Sequence, residues 1–188
     1  MSVLAKRLLE VHVALDGAGL PHAFGGAIAL AYCTEEPRGT RDLDVNVFVD
    51  PREARAVLAA LPADVLVSER DVERALAEGQ VRVWWGETPI DLFLDVHSFH
   101  GEARAGVREV AFEGETIPVL DGTALTIFKA LFDRTKDWAD IEEIIAAGAL
   151  DLPRASDWLK RIQGADSPAA GRLESLAIPS GRPRNVLP

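Results

Sequence analysis

The sequence contains a single cysteine, Cys33, among 188 residues, so no disulfide can form within the chain. This scarcity is typical of reducing compartments, and we expect a cytoplasmic protein. No apolar run approaches the roughly 20 residues that span a bilayer, so no membrane partner is expected. Basic residues are also few: 20 Lys and Arg stand against 30 Asp and Glu, a formal net charge of −10. Such a chain binds nucleic acid only through a local basic patch or bound cations.

Several catalytic signatures are also absent. The sequence has no Gly-x-Ser-x-Gly motif of the α/β-hydrolases and no Walker-type Gly-x-x-x-x-Gly-Lys loop. Neither Cys-x-x-Cys nor His-Glu-x-x-His occurs, so a zinc site is not expected, although His97 and His100 follow a predicted strand. The absences argue against serine-hydrolase, P-loop and zinc chemistry.

Hydrophobic patterns predict an α/β (α+β) fold with a mixed sheet flanked by helices. The core with its N-terminal helix is expected over residues 1–120, and a small C-terminal helical unit packing on it over 121–165. Residues 166–188 are expected to be a flexible tail, because prolines and arginines accumulate near the end. Strands are predicted over 43–49, 64–67, 81–85, 90–96, 107–112 and 116–120.

Two aspartates separated by one residue carry the clearest chemical signal. Strand alternation points Asp42 and Asp44 to one face, with Leu43, Val45 and Val47 facing the core. Two like charges this close are costly unless a cation or a proton lies between them. The pattern predicts a site for a divalent cation, most simply Mg²⁺. An edge strand with solvated aspartates is the alternative.

A third carboxylate lies on a later predicted strand. Alternation places Asp91, Phe93 and Asp95 on one face of that strand, opposite its apolar residues. If the strand neighbours the one that follows Asp42, three carboxylates converge. Such a set can hold two metal ions and leave a base for an attacking hydroxyl. Asp95 could replace Asp91 in this role, but it lies near the strand end.

A glycine pair, Gly25 and Gly26, stands between a short extended segment and a predicted helix. Glycine allows the backbone to approach a ligand closely. The helix that follows offers free amide groups to a phosphate. The pair therefore predicts a phosphate site next to the carboxylates.

These segments resemble a known family. Residues 24–26 (Phe-Gly-Gly), 42–44 (Asp-Leu-Asp) and 90–92 (Ile-Asp-Leu) resemble the three motifs of the DNA polymerase beta-type nucleotidyltransferase superfamily. The lead-in 38–44 is similar to the Arg-x-Ser/Thr-x-Asp-x-Asp signature of its AbiEii-type branch, which includes nucleotidyltransferase toxins of toxin–antitoxin systems. Residues 128–141 resemble the Lys…Arg…Asp-x-x-Asp segment of the same branch.

The resemblance implies Mg²⁺-dependent (or Mn²⁺-dependent) transfer of a nucleoside monophosphate from an NTP such as ATP to an acceptor hydroxyl. It implies metal binding by Asp42, Asp44 and Asp91, nucleotide binding by Gly25, Gly26, Thr40, Arg41 and Lys129, and catalytic roles for the three metal ligands with Lys129 and Asp137. By analogy the acceptor is tRNA, and a cognate antitoxin protein is a partner. The alternatives are a small-molecule acceptor such as an antibiotic, and a non-catalytic nucleotide-binding module.

Helical spacing places Asp137 on the apolar face of a predicted helix, with Asp140 at the edge of that face. A buried carboxylate needs a cationic partner or a ligand, and Lys129 and Arg134 are the near candidates. Two interpretations stay open. The group is a buried ion pair between helices, or Lys129 reaches the nucleotide phosphates while Asp137 orients it. The pattern does not decide whether Asp137 or Asp140 is the functional carboxylate.

Overall fold

The structure, a computed structural model, describes residues 1–37 and 39–177. Over these residues the chain forms a six-stranded mixed sheet with the order β3-β4-β2-β1-β6-β5. The strands are β1 (His22–Phe24), β2 (Leu43–Val47), β3 (Gln80–Trp85), β4 (Thr88–Leu94), β5 (Arg108–Phe112) and β6 (Glu115–Val119). The mixed α/β fold predicted from the hydrophobic patterns is therefore confirmed.

Helices flank this sheet. They are α1 (Val3–Gly17), α2 (Gly26–Thr34), α3 (Ala54–Ala60), α4 (Glu69–Glu78), α5 (Phe99–Ala105), α6 (Gly122–Phe132), α7 (Thr135–Ala146), α8 (Leu152–Gln163) and α9 (Pro168–Ala177). A 3-10 turn over Pro51–Glu53 leads into α3, and the Asp50 side chain caps it by accepting a hydrogen bond from the Arg52 amide. None of the helices in the described ranges is long and apolar enough to cross a bilayer.

The centre of the sheet sets the geometry of the site. Strand β2 pairs with β1 in antiparallel fashion and with β4 in parallel fashion, while β3 and β4 form an antiparallel hairpin. Leu43, Val45 and Val47 have no exposed surface. Their burial leaves the opposite face of β2 for the polar residues, as alternation predicts.

The tail expected from residue 166 is wrong over Pro168–Ala177, which form α9. Ala170 and Leu173 are fully buried. The Glu174 carboxylate also accepts a hydrogen bond from Lys160 of α8 at 2.7 Å. Apolar residues at helical spacing therefore outweigh the nearby arginines and prolines. The rest of the expected tail, residues 178–188, lies outside the described residues.

The short strand expected over 64–67 is also wrong. It is reduced to one antiparallel bridge between Leu66 and Trp84 at the edge of the sheet. Helix α5 is not predicted from the sequence, because its seven residues include Gly101 and lack a clear apolar period. Its buried residue Phe99 packs edge-on against Phe128 of α6, with ring centroids 5.1 Å apart.

Candidate active site

A cavity of about 610 Å³ lies between the polar face of the central strands and helices α6 and α7. Among the predicted site residues, its wall includes Gly26, Thr40, Asp42, Asp44, Asp91, Lys129 and Asp137. Phe93, Phe128 and Phe132 supply an apolar part of the wall. Two predicted residues are not in this wall: Gly25 lies behind it, and Arg41 is exposed.

Asp44 and Asp91 are direct partners across the parallel pair of β2 and β4. Side chains of such partners lie on the same face of the sheet. Asp42 comes one residue before β2 begins, and its carboxylate accepts a hydrogen bond from the Thr40 hydroxyl. The expected convergence of two separate stretches of chain on one cavity is thus present in the structure.

The Asp44 carboxylate is in an unfavourable electrostatic position. Burial, followed by the negative charges of Asp42 and Asp91, raises the pKa of Asp44 to about 6. The positive charges of Lys129 and Lys136 act in the opposite direction. This wall of the cavity therefore favours a bound proton or cation.

The glycine corner forms one side of the site. The Gly25 amide donates a hydrogen bond to the Asp44 carbonyl at 2.8 Å. Gly26 has a φ of +51°, and a Cβ atom there would lie 1.8 Å from Asp44 Oδ2. Glycine is therefore required both by the backbone conformation and by the space that the carboxylate fills. Helix α2 begins at this corner, so its first amide groups lie beside the carboxylates.

Asp91 is already bound to a cation of the protein. Arg82 Nε and Nη2 donate to its two carboxylate oxygens at 2.7 and 2.6 Å. The pairing follows from the β3–β4 hairpin, in which Arg82 and Asp91 are opposite each other. The Arg82 side chain is 49% exposed and that of Asp91 only 17%. Arg82 thus covers Asp91 from the solvent side.

A second charged network connects α6 and α7. The buried Lys129 Nζ lies 2.5 Å from Asp140 Oδ2 and 3.6 Å from Asp137 Oδ1. Arg134 Nε and Nη2 donate to Asp137 at 2.6 and 3.1 Å. Asp137 and Asp140 are both buried. Lys129 contacts both carboxylates and lines the cavity at the same time.

The Asp137 carboxylate is held in its charged form. Burial acts to raise its pKa, but the Arg134 hydrogen bonds and charge, together with the Lys129 charge, outweigh burial and lower the pKa. In this network Asp137 lies between two cations, Arg134 and Lys129, and Lys129 also contacts Asp140. It is the ion pair between helices that the helical spacing predicted as one interpretation.

Three residues of the wall were missed or misjudged from the sequence. Arg82 belongs to the site through its register opposite Asp91, and Lys136 through its place at the start of α7. His100, which reads as a loop residue, is buried on α5 beside Phe128, and its Nδ1 donates to the His97 carbonyl at 3.2 Å. The turn at Gly86 could have revealed the hairpin and hence Arg82.

The carboxylates fit a hard divalent cation by their chemistry, because Mg²⁺ and Mn²⁺ prefer oxygen ligands. In residues 1–37 and 39–177, however, no three acidic, histidine or cysteine side chains are grouped so that they could hold an ion. Both Asp91 oxygens bind Arg82 instead. Asp42, Asp44 and Asp91 would therefore have to rearrange to enclose a metal ion, and Arg82 would compete with that ion for Asp91.

Comparisons with known proteins place the fold. No family model and no curated protein is similar to the chain at a significant level. Several solved structures are similar to the chain. ANT(2'')-Ia in complex with adenylyl-2''-tobramycin matches with a TM-score of 0.59 at 13% identity, covering 93% of this chain and 98% of that chain. The lincosamide antibiotic adenylyltransferase LnuA with bound lincomycin matches at 0.51 and 14% identity, covering 74% and 94%.

A nucleotidyltransferase-like protein from Paracoccidioides brasiliensis also matches, with a TM-score of 0.51 at 16% identity, covering 91% of this chain and 94% of that chain. The chain therefore has the fold of the nucleotidyltransferases. This agrees with the superfamily that the motifs resemble. Membership of the AbiEii-type branch stays a prediction.

Proposed function

We propose that this protein is a metal-dependent nucleotidyltransferase that moves a nucleoside monophosphate from an NTP to an acceptor hydroxyl. The observation that supports this most is the side-by-side placement of Asp44 and Asp91 next to the Gly25–Gly26 corner. A carboxylate set beside a phosphate-binding corner provides what this reaction needs. The fold of the similar structures supports the same reaction.

In this proposal Asp42, Asp44 and Asp91 hold Mg²⁺ or Mn²⁺. The bound metal would neutralise phosphate charge and lower the pKa of the acceptor hydroxyl. Asp91 accepts the proton of that hydroxyl, whose oxygen forms a bond to the α-phosphorus. The bond from that phosphorus to the bridging oxygen breaks, and pyrophosphate leaves. The Gly26 amide at the start of α2 seats the leaving phosphates, and Gly25, whose own amide donates to the Asp44 carbonyl, fixes the corner.

The cationic side chains proposed to bind the polyphosphate lie on the cavity wall formed by α6 and α7. Lys129 and Lys136 line the cavity, and both charges act on Asp44. Asp137 and Asp140 form ion pairs with Lys129, and these pairs hold its side chain in one orientation. Thr40 stands beside Asp42, and the exposed Arg41 is close to it in sequence. We assign these residues to nucleotide binding.

For the acceptor, we propose a small hydroxyl-bearing molecule. The net charge of −10 disfavours a polyanionic acceptor. Two of the similar structures contain a small molecule: adenylyl-2''-tobramycin in ANT(2'')-Ia and lincomycin in LnuA. The second candidate is tRNA, with the chain as a toxin that has a cognate antitoxin. It is favoured by the buried Lys129, Asp137 and Asp140 group, which lies in the segment that resembles the AbiEii-type branch.

The test is a transfer assay with purified protein, Mg²⁺ or Mn²⁺, and each of the four NTPs labelled at the α-phosphate. Acceptors are total tRNA and a panel of aminoglycosides and lincosamides. The variant Asp44→Asn removes a proposed metal ligand and also relieves like-charge repulsion, so it should fold. Asp64→Asn, at an exposed position outside the cavity, is the matched control.

Label that moves to a small molecule supports the first candidate, and label that moves to tRNA supports the second. In both cases the transfer should require metal, be lost in Asp44→Asn and persist in Asp64→Asn. Binding of NTP without any transfer would instead support a non-catalytic nucleotide-binding module. Transfer that survives Asp44→Asn would remove the proposed role of this carboxylate.

A further inference from the structure

The Arg82–Asp91 pair has a geometry that competes with the proposed use of Asp91. The guanidinium meets the carboxylate with two parallel hydrogen bonds, at 2.7 and 2.6 Å, so both oxygens are engaged. Bidentate pairs of this kind are among the stronger hydrogen-bonded contacts in proteins. A metal ion needs the same oxygens. Arg82 and a metal ion therefore compete for the Asp91 carboxylate in this orientation.

Arg82 also differs from the other cations of the cavity. Lys129 and Arg134 pair with carboxylates of α7, although their charges also interact with the carboxylates of the sheet. Arg82 instead reaches over the sheet face, where its guanidinium senses the charges of Asp42 and Asp44 as well as that of Asp91. Its side chain is half exposed, so it can swing away without opening the core.

We propose that Arg82 is a positioning residue that holds Asp91 in the nucleotide-free protein and is displaced when a divalent metal ion binds. The inference rests on the proposed function, in which Asp91 is a metal ligand. Arg82 keeps the third carboxylate oriented while the site is incomplete. The affinity of the nucleotide-free protein for metal is lowered by the energy of breaking the pair. Metal alone therefore binds weakly, and Asp91 is released as the site is filled.

The experiment measures Mn²⁺ affinity without nucleotide, by electron paramagnetic resonance of free Mn²⁺. Arg82→Gln should bind Mn²⁺ about tenfold more tightly than the unmodified protein, because removing the competing ion pair with Asp91 makes about 1.4 kcal/mol available to metal binding. Arg55→Gln is the matched control, since Arg55 makes a similar two-bond pair with Glu69, at 2.9 and 2.8 Å, on the exposed surface. Its Mn²⁺ affinity should be unchanged. Equal affinity in the Arg82→Gln and unmodified proteins, or no measurable binding to either, overturns the proposal.

Removal of any positive charge near the site could also tighten metal binding. The background variant Asp91→Asn separates the two causes, because the pair is absent there. In that background Arg82→Gln should no longer change the Mn²⁺ affinity. A tightening that persists contradicts displacement from Asp91. Arg82→Lys, which keeps the charge but not the two-bond geometry, should give an affinity between those of Arg82→Gln and the unmodified protein.

Failure of this inference is distinguishable from failure of the proposed function. The Mn²⁺ measurement uses no nucleotide, so it can be read even if no transfer is ever observed. Transfer by the unmodified protein, with equal Mn²⁺ affinity in Arg82→Gln, removes only the role of Arg82. If Arg82→Gln binds Mn²⁺ more tightly but no acceptor is labelled, only the proposed transfer reaction is contradicted.

Discussion

The Asp44 carboxylate fills the space that a Cβ atom on Gly26 would need. The distance from that Cβ position to Asp44 Oδ2 is 1.8 Å, and Gly26 has a φ of +51°. The residue type at position 26 is thus fixed by a side chain eighteen positions later in the sequence. The glycine corner and the carboxylates form one structural unit.

Gly26→Ala should therefore damage both the fold and the site. The left-handed backbone alone costs about 1–3 kcal/mol for a residue with a side chain. The methyl group also forces Asp44 to move, which should lower transfer at least about 100-fold. Gly17→Ala is the control, since a Cβ there meets nothing within 4 Å. Urea unfolding and the transfer assay measure the two effects, and an active, fully stable Gly26→Ala protein would contradict this geometry.

The contribution of Asp44 to the stability of the metal-free protein should fall as the pH rises from about 4 to 6. The pKa of Asp44 is raised to about 6 by burial and by Asp42 and Asp91, above its value of 3.8 in an unfolded chain. The folded state therefore holds this proton more tightly than the unfolded state, and deprotonation favours unfolding by at most about 3 kcal/mol. Asp44→Asn lacks this dependence.

The measurement is the free energy of unfolding of both proteins in the presence of a chelator at pH 4 and pH 7.5. The free energy of unfolding of Asp44→Asn minus that of the unmodified protein should be larger at pH 7.5 than at pH 4. A difference that is independent of pH would show that Asp44 is not destabilised by its neighbours.

Lys129→Met should destabilise the protein strongly. The substitution leaves the buried Asp140 and Asp137 without the cation that lies 2.5 and 3.6 Å from them. Breaking a buried ion pair in this way typically costs about 3–5 kcal/mol. Lys160→Met removes a half-exposed pair with Glu174 and should cost less than about 1 kcal/mol. Similar losses in the two variants, measured by urea unfolding, would argue against the buried network.

Much of this site could be predicted from local sequence patterns. Alternation around Asp44 and Asp91 predicts a polar face on two strands, and the structure confirms that the strands are neighbours. The glycine pair before an apolar helix predicts the corner. These features depend on residues close together in the sequence, so a pattern can reveal them.

The remaining features depend on contacts between distant segments. Arg82 joins the site only because the hairpin register sets it opposite Asp91. The burial of Asp140 depends on how α7 packs on α6, which helical spacing alone does not determine. Helix α9 is held by packing on α8 and by the hydrogen bond from Lys160 of α8 to Glu174, and its own composition reveals neither contact.

Lys136→Gln should weaken nucleotide binding without changing stability. Lys136 is an exposed cation on the cavity wall, and its charge reaches Asp44. Loss of one phosphate-facing charge should lower NTP affinity about 3- to 10-fold at low salt, and the effect should shrink at high salt. Lys6→Gln, on α1 outside the cavity, serves as the control. Unchanged affinity in a calorimetric titration would remove Lys136 from the nucleotide site.

The most direct test of the proposed reaction centre is anomalous diffraction from crystals of the protein with Mn²⁺ and a non-hydrolysable NTP analogue. We expect a manganese peak about 2.1 Å from oxygens of Asp44 and Asp91, with the phosphates at the Gly25–Gly26 corner and Arg82 released from Asp91. A peak elsewhere, or a nucleotide bound away from this corner, would contradict the assignment of these carboxylates to metal-dependent nucleotidyl transfer.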